Sequence, residues 1–275
     1  MTIDPPLRKI FGAAVILWAF SLLVSWPVSS LLGNALRGYA GESLWLERLS
    51  GGIDPLFLSD FIPNAGPALS AIPVAFLPVA VFFFLVQILF SGGLMKLFCH
   101  EGEKVFEPFA RGVVTLGFRY CLLWVLFLPV FALGVALVLL PFVLAGDLLP
   151  ENPSELFTLR LYSLQIVLVL LAVSFLHSVQ YLVRAVMANH TGRIGWSVKR
   201  TLRVGFPLVL KGWGLVVLAT ALGGVGALFF SWLGMLCYGS RFFLWAFLQA
   251  AAFCLVLARV WLHRFLADLV KRNVF

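Results

Sequence analysis

Six long apolar runs free of Asp, Glu, Lys and Arg constrain this chain more than any other feature. They cover approximately Phe11–Leu32, Ile72–Leu94, Cys121–Ala145, Leu161–Val183, Gly212–Leu236 and Phe242–Leu257. Crossing about 30 Å of hydrocarbon takes about 20 apolar residues in a helix. Five runs meet that length, and the sixth does so if it continues past Arg259, whose side chain can snorkel. None shows strand alternation or the ten-residue spacing of a barrel. Backbone groups in lipid must be satisfied within the segment, so the runs are read as helices. Composition agrees. Apolar residues make up 62% and charged residues 12%, against about 25% charged in a soluble domain. The expected fold class is an all-α membrane protein, a six-transmembrane-helix bundle with short interfacial helices. Residues 1–275 form one integral membrane domain in this reading. The first run follows Arg8 and Lys9 as a signal peptide would, but it is too long for a 7–15-residue core and ends without an A-x-A site. It is read as a retained span.

Positive charge sets the orientation. Arg8 and Lys9 precede the first run, and the segment after it holds only Arg37 and Arg48. Lys96, Lys104, Arg111 and Arg119 follow the second run, then Arg160 alone after the third. Arg184, Arg193, Lys199, Arg200, Arg203 and Lys211 follow the fourth, Arg241 the fifth, and Arg259, Arg264, Lys271 and Arg272 close the chain. The alternation places both termini of a multi-pass membrane protein in the cytoplasm. The net charge of +8 is then a cytoplasmic rim and not a nucleic-acid footprint. The partners this implies are membrane lipids, with anionic headgroups drawn to the basic side.

Residues 33–71 make the longest stretch between runs. They read as an extracytoplasmic segment with one or two amphipathic helices, carrying Trp45, Leu49, Phe57, Phe61 and Ile62 toward the interface. Pro63, Pro67 and Pro73 are expected to break the chain before the second span. The two large cytoplasmic loops are alike in layout: Lys96 aligns with Arg184, and Arg111 with Lys199. That spacing suggests a parallel hairpin repeat of spans two–three and four–five; convergence on a basic loop followed by a helix explains it equally well.

The stretch FSGGLMKLFCHEGEKVFEPFARGV carries paired Gly92 and Gly93, the turn at Gly102-Glu103, Phe106 and Phe109, and a closing Arg111. It resembles a pattern in uncharacterised bacterial six-span integral membrane families, including the membrane domain of some glycerophosphodiester phosphodiesterases. RAVMANHTGRIGWSVKRTLRV is similar to the basic stretch after their fourth helix. The resemblance implies fold and membrane location. It brings no activity, because those enzymes' catalytic domain has no counterpart here.

Three groups of polar residues bear on function. His177, Gln180 and Arg184 fall at i, i+3 and i+7 on one helical face, and Gln87 and Gln249 could join them in a polar intramembrane face. Ionisable groups at membrane depth usually face the bundle interior and mark sites or paths. The plainer reading is that His177 and Gln180 bond helices together while Arg184 snorkels. Lys199, Arg200 and Arg203 cluster on one face of a short cytoplasmic helix beside Trp196, and are candidate contacts for anionic lipid. Arg259 and Arg264, with His263 between them, could add to those contacts. Gly212, Gly214, Gly223, Gly224 and Gly226 thin the fifth span for close packing. Cys99, Cys121, Cys237 and Cys254 show neither C-x-x-C nor metal spacing, and no cofactor is expected. The 12 Asp and Glu residues all fall outside the runs, and no H-E-x-x-H occurs. The chain is therefore expected to be non-enzymatic, a membrane-embedded scaffold or lipid-interacting envelope component. A small transporter or channel subunit with a polar path near the fourth span, and an enzyme acting on phospholipid headgroups, are the competing readings.

Overall fold

The computed structural model describes residues 5–40, 66–99, 104–146, 155–189, 194–204, 206–237 and 240–274. They form seven helices: α1 (Pro5–Ala40), α2 (Gly66–Cys99), α3 (Phe106–Gly146), α4 (Glu155–Asn189), α5 (Ile194–Val204), α6 (Phe206–Leu236) and α7 (Arg241–Val274). Among the described residues six helices are long and apolar enough to cross a membrane, all but α5. The protein is an all-α multi-pass membrane bundle. α7 runs well past Arg259, as the short sixth run required.

At α2 and α1 the helix ends differ from the sequence reading. α2 begins at Gly66 and takes in both Pro67 and Pro73. Pro67 falls in the first turn, where no backbone N–H is needed, and membrane helices tolerate Pro deeper in. α1 continues through Ala40, so the first residues of the 33–71 segment prolong a helix. The amphipathic stretches around Trp45 and Phe57 lie outside the described residues.

The chain divides into two compact units, residues 1–15 with 88–275, and residues 16–87. In the smaller unit Leu23, Trp26, Leu77, Val81 and Phe82 are exposed. The larger unit holds the core: Met95 of α2, Tyr120 and Leu123 of α3, Leu182 and Met187 of α4 and Leu266 of α7 are fully buried. Its outer surface is apolar too, with Val114, Phe118, Leu133 and Leu137 of α3 well exposed. In water such a surface would aggregate; in lipid it is the expected boundary.

Between lipid-immersed helices apolar burial gives no net drive, so small residues that permit backbone approach carry the packing. The α2–α3 contact is built this way. A Cβ added to Gly112 would meet the Gly92 carbonyl oxygen at 2.7 Å and the Gly93 Cα at 2.9 Å. Gly93 is closed in the same way, by the Phe109 ring at 2.8 Å, and Gly92 is tight against the Gly112 carbonyl oxygen at 3.1 Å. Along α6 the glycines divide. Gly212 meets Leu182, Gly223 meets Ala258 and Gly226 meets Cys254, whereas Gly214 and Gly224 face open space.

The two stretches that suggested a hairpin repeat differ in their helices. Arg111 lies on α3, one helix continuous from Phe106, whereas its counterpart Lys199 lies on the separate α5. Pro207 supplies the reason. It lies in the first turn of α6, and lacking an N–H it cannot donate to the preceding turn, which suits a helix start and not a helix interior. No proline stands at the corresponding place after Gly117.

Candidate functional site

The C-terminal part of α4 is where sequence and fold concentrate polarity. Residues 180–188 are buried without interruption, so this part of α4 runs through the bundle core. Arg184 is only 2% exposed. Its guanidinium turns into the core, and the snorkelling expected in the plainer reading does not occur, because α2, α3 and α7 close around it.

What surrounds the cation is aromatic. Its Cζ lies 5.3 Å from the Tyr181 ring centroid, 5.4 Å from Tyr120 and 5.8 Å from Trp124. Such faces attract a cation, more strongly where it is desolvated. The Tyr120 hydroxyl also donates to the Arg184 carbonyl at 2.6 Å, tying α3 to α4. None of the described ion pairs includes Arg184; they join Lys104 and Arg111 to Glu107, and Arg264 to Asp268.

A chain of hydrogen bonds leads away from the guanidinium. Nη1 of Arg184 donates to Ser91 Oγ at 3.2 Å, and Ser91 Oγ lies 2.9 Å from His263 Nε2. His263 Nδ1 is 2.7 Å from the Arg259 carbonyl oxygen. A carbonyl only accepts, so Nδ1 carries the proton; in the neutral imidazole Nε2 accepts from the Ser91 hydroxyl. Every donor then points away from Arg184, the order that a buried cation favours.

The remaining edge of the cation is bare. Nε and Nη2 of Arg184 are buried without a hydrogen-bond partner, and so are both amide atoms of Gln180, one turn earlier on the same helix. Buried polar groups of this kind are rare.

Of the residues singled out from sequence, Gln180 and Arg184 come together here. His177 stands beside them in an aromatic layer, 4.9 Å from Tyr181, 5.5 Å from Trp124 and 5.9 Å from Phe131 between ring centroids. Gln87 belongs to the smaller unit. Gln249 lies about 20 Å along α7 from His263, at about 1.5 Å per residue, and its buried Oε1 has no hydrogen-bond partner. Arg259 contributes its carbonyl. Arg264, next to His263 but 100° round the helix, pairs with Asp268 at 3.8 Å. His263 therefore turns inward instead of forming a cluster with Arg264. Tyr120, Trp124 and Tyr181 were missed. Tyr120 and Trp124 are spaced i, i+4, and Tyr181 precedes Arg184 by three, spacings that put each pair on one face.

The second polar feature is at the surface. α5 buries Ser197 and Thr201 and exposes Trp196, Lys199, Arg200, Leu202 and Arg203. Between α5 and α3 runs an open groove of about 650 Å³. Leu122 and Leu126 form one wall, Ile194, Val198 and Leu202 the other, and Lys199 and Arg203 are the charged groups on it. Arg200 does not line it.

Compared with protein-family models, curated proteins and solved structures, the chain gives no match.

Proposed function

We propose that this multi-pass membrane protein is a non-enzymatic, lipid-interacting scaffold of a bacterial cytoplasmic membrane, with both termini in the cytoplasm and an anionic phospholipid held between α3 and α5. The observation that carries this reading is the groove. Its walls suit an acyl chain, and its two cations stand at i, i+4 on α5, where a phosphate at headgroup depth would meet them. Trp196 on the same helix is the residue type that anchors at that depth.

Each cation near an anionic surface contributes about 1 kcal/mol, so Lys199 and Arg203 together give about a thirtyfold preference for anionic over zwitterionic lipid. The test is lipid retention by purified protein exchanged between phosphatidylglycerol and phosphatidylcholine. Lys199→Gln with Arg203→Gln is expected to remove most of the preference, and Arg200→Gln to remove less. Equal retention by wild type and the double variant overturns the reading. An equal loss from Arg200→Gln means the rim acts by net charge, without the groove.

A further inference from the structure

The orphan atoms around Arg184 form a pattern. A guanidinium has two edges on which two N–H bonds run parallel, Nε with Nη2 and Nη1 with Nη2, and either can form the bidentate pair with a carboxylate or phosphate. Nη1 is already committed to Ser91 at 3.2 Å. The unpartnered atoms are thus one complete oxyanion-binding fork and not a scatter of loose donors. The cation is 2% exposed and has no carboxylate among its described ion pairs, so its charge calls for an anion. Gln180, 1% exposed and one turn away, adds an unpartnered amide donor and an unpartnered acceptor. A carboxylate or sulfate would satisfy the fork and the amide N–H₂ but leave Gln180 Oε1 bare. A phosphate that retains a P–OH satisfies all of them.

We propose that Arg184 and Gln180 bind one phosphate group bearing a P–OH, either inorganic phosphate or the monoester headgroup of a phosphatidic-acid-type lipid. Nε and Nη2 of Arg184 donate to two of its oxygens, Gln180 Nε2 donates to one, and its hydroxyl donates to Gln180 Oε1. The Ser91–His263 chain and the aromatic rings hold the guanidinium in place and do not touch the ligand. This site lies in the α4 core and is separate from the α3–α5 groove.

The experiment uses the full chain, purified in detergent without phosphate and then placed in lipid discs. One arm measures binding of radiolabelled inorganic phosphate, with sulfate as competitor. The other compares retention of phosphatidic acid with that of phosphatidylglycerol, a diester with no P–OH. Saturable binding of about one phosphate per chain is expected in one of the arms, and which arm identifies the source. Gln180→Met and Arg184→Lys, the second keeping charge but not the fork, are each expected to weaken it at least tenfold. Thermal melting of each variant shows that it is folded. Arg184→Lys carries the greater risk to folding, and Gln180→Met then decides alone. Folded wild type that binds in neither arm overturns the proposal. So does binding that folded Gln180→Met retains in full, or that sulfate displaces as well as phosphate does.

Discussion

Arg184 Nη1 donates to Ser91 Oγ across 3.2 Å, so a serine of α2 receives the buried guanidinium of α4. The same hydroxyl serves His263 of α7 at 2.9 Å, which makes Ser91 the joint of three helices. Ser91→Ala leaves two buried groups without a partner. Interhelical hydrogen bonds in membranes average about 0.6 kcal/mol, whereas orphaning a buried polar group costs about 1–3 kcal/mol. A loss of about 1–2 kcal/mol is expected in reversible unfolding from mild detergent. In a double-mutant cycle with His263→Ala the two changes should couple. Additivity within about 0.3–0.5 kcal/mol, as for independent sites, would break the proposed chain.

Tyr120 holds Arg184 in two ways, through its hydroxyl on the backbone carbonyl and its ring face on the guanidinium. Tyr120→Phe removes only the first and is expected to cost about 1 kcal/mol. Tyr120→Leu also removes the cation–π contact, worth about 0.5–2 kcal/mol. The order of unfolding stability should be wild type, Phe, Leu. Phe and Leu variants of equal stability would show that the ring contributes nothing to holding the cation.

Glycine positions give a paired control. Gly112→Ala sets a methyl group against the Gly92 carbonyl and the Gly93 Cα, both backbone and unable to swing aside. α2 and α3 must then separate, and the melting temperature should fall. Gly214→Ala meets nothing within 4 Å. It relieves the helix of a glycine, a gain of up to about 1 kcal/mol, so its melting temperature should hold or rise. If both variants melt together, close approach at Gly112 is not what holds that helix pair.

The number of spans and the extension of α7 beyond Arg259 were legible in the sequence, because hydrocarbon thickness leaves a lipid-exposed chain few choices. The basic helix over Ile194–Val204 was legible too, from the spacing of its cations beside Trp196. The fate of Arg184 was not. An arginine close to a helix end snorkels when its helix borders lipid, and nothing in a single sequence says that residues 180–188 are enclosed on every side. For the same reason the sequence gives Tyr120 no role and does not show Ser91 as the joint of three helices. Their roles come from which helices meet, and single-sequence periodicity does not report that. The glycines of α6 show the same limit, since composition marked all five as packing residues and only Gly212, Gly223 and Gly226 make such a contact.

Orientation follows from charge and can be tested without knowing a ligand. Arg8 and Lys9, the Lys96–Arg119 group, the Arg184–Lys211 group and the C-terminal cations recur on every second connection, while each intervening one carries one or two. Because positive charge within about 15–20 residues of a span resists translocation, all four basic groups are expected on the same, cytoplasmic side. The test uses a chain whose free cysteines Cys99, Cys121, Cys237 and Cys254 are replaced, with single cysteines returned at Ser50, Glu151 or Thr191. A membrane-impermeant maleimide added to intact cells should label Ser50→Cys and Glu151→Cys, and should reach Thr191→Cys only after the membrane is opened. Thr191 follows α4 directly, so its side also fixes the side of Lys199 and Arg203 on α5. Labelling of Thr191→Cys in intact cells would put that groove on the outer face and invert the orientation.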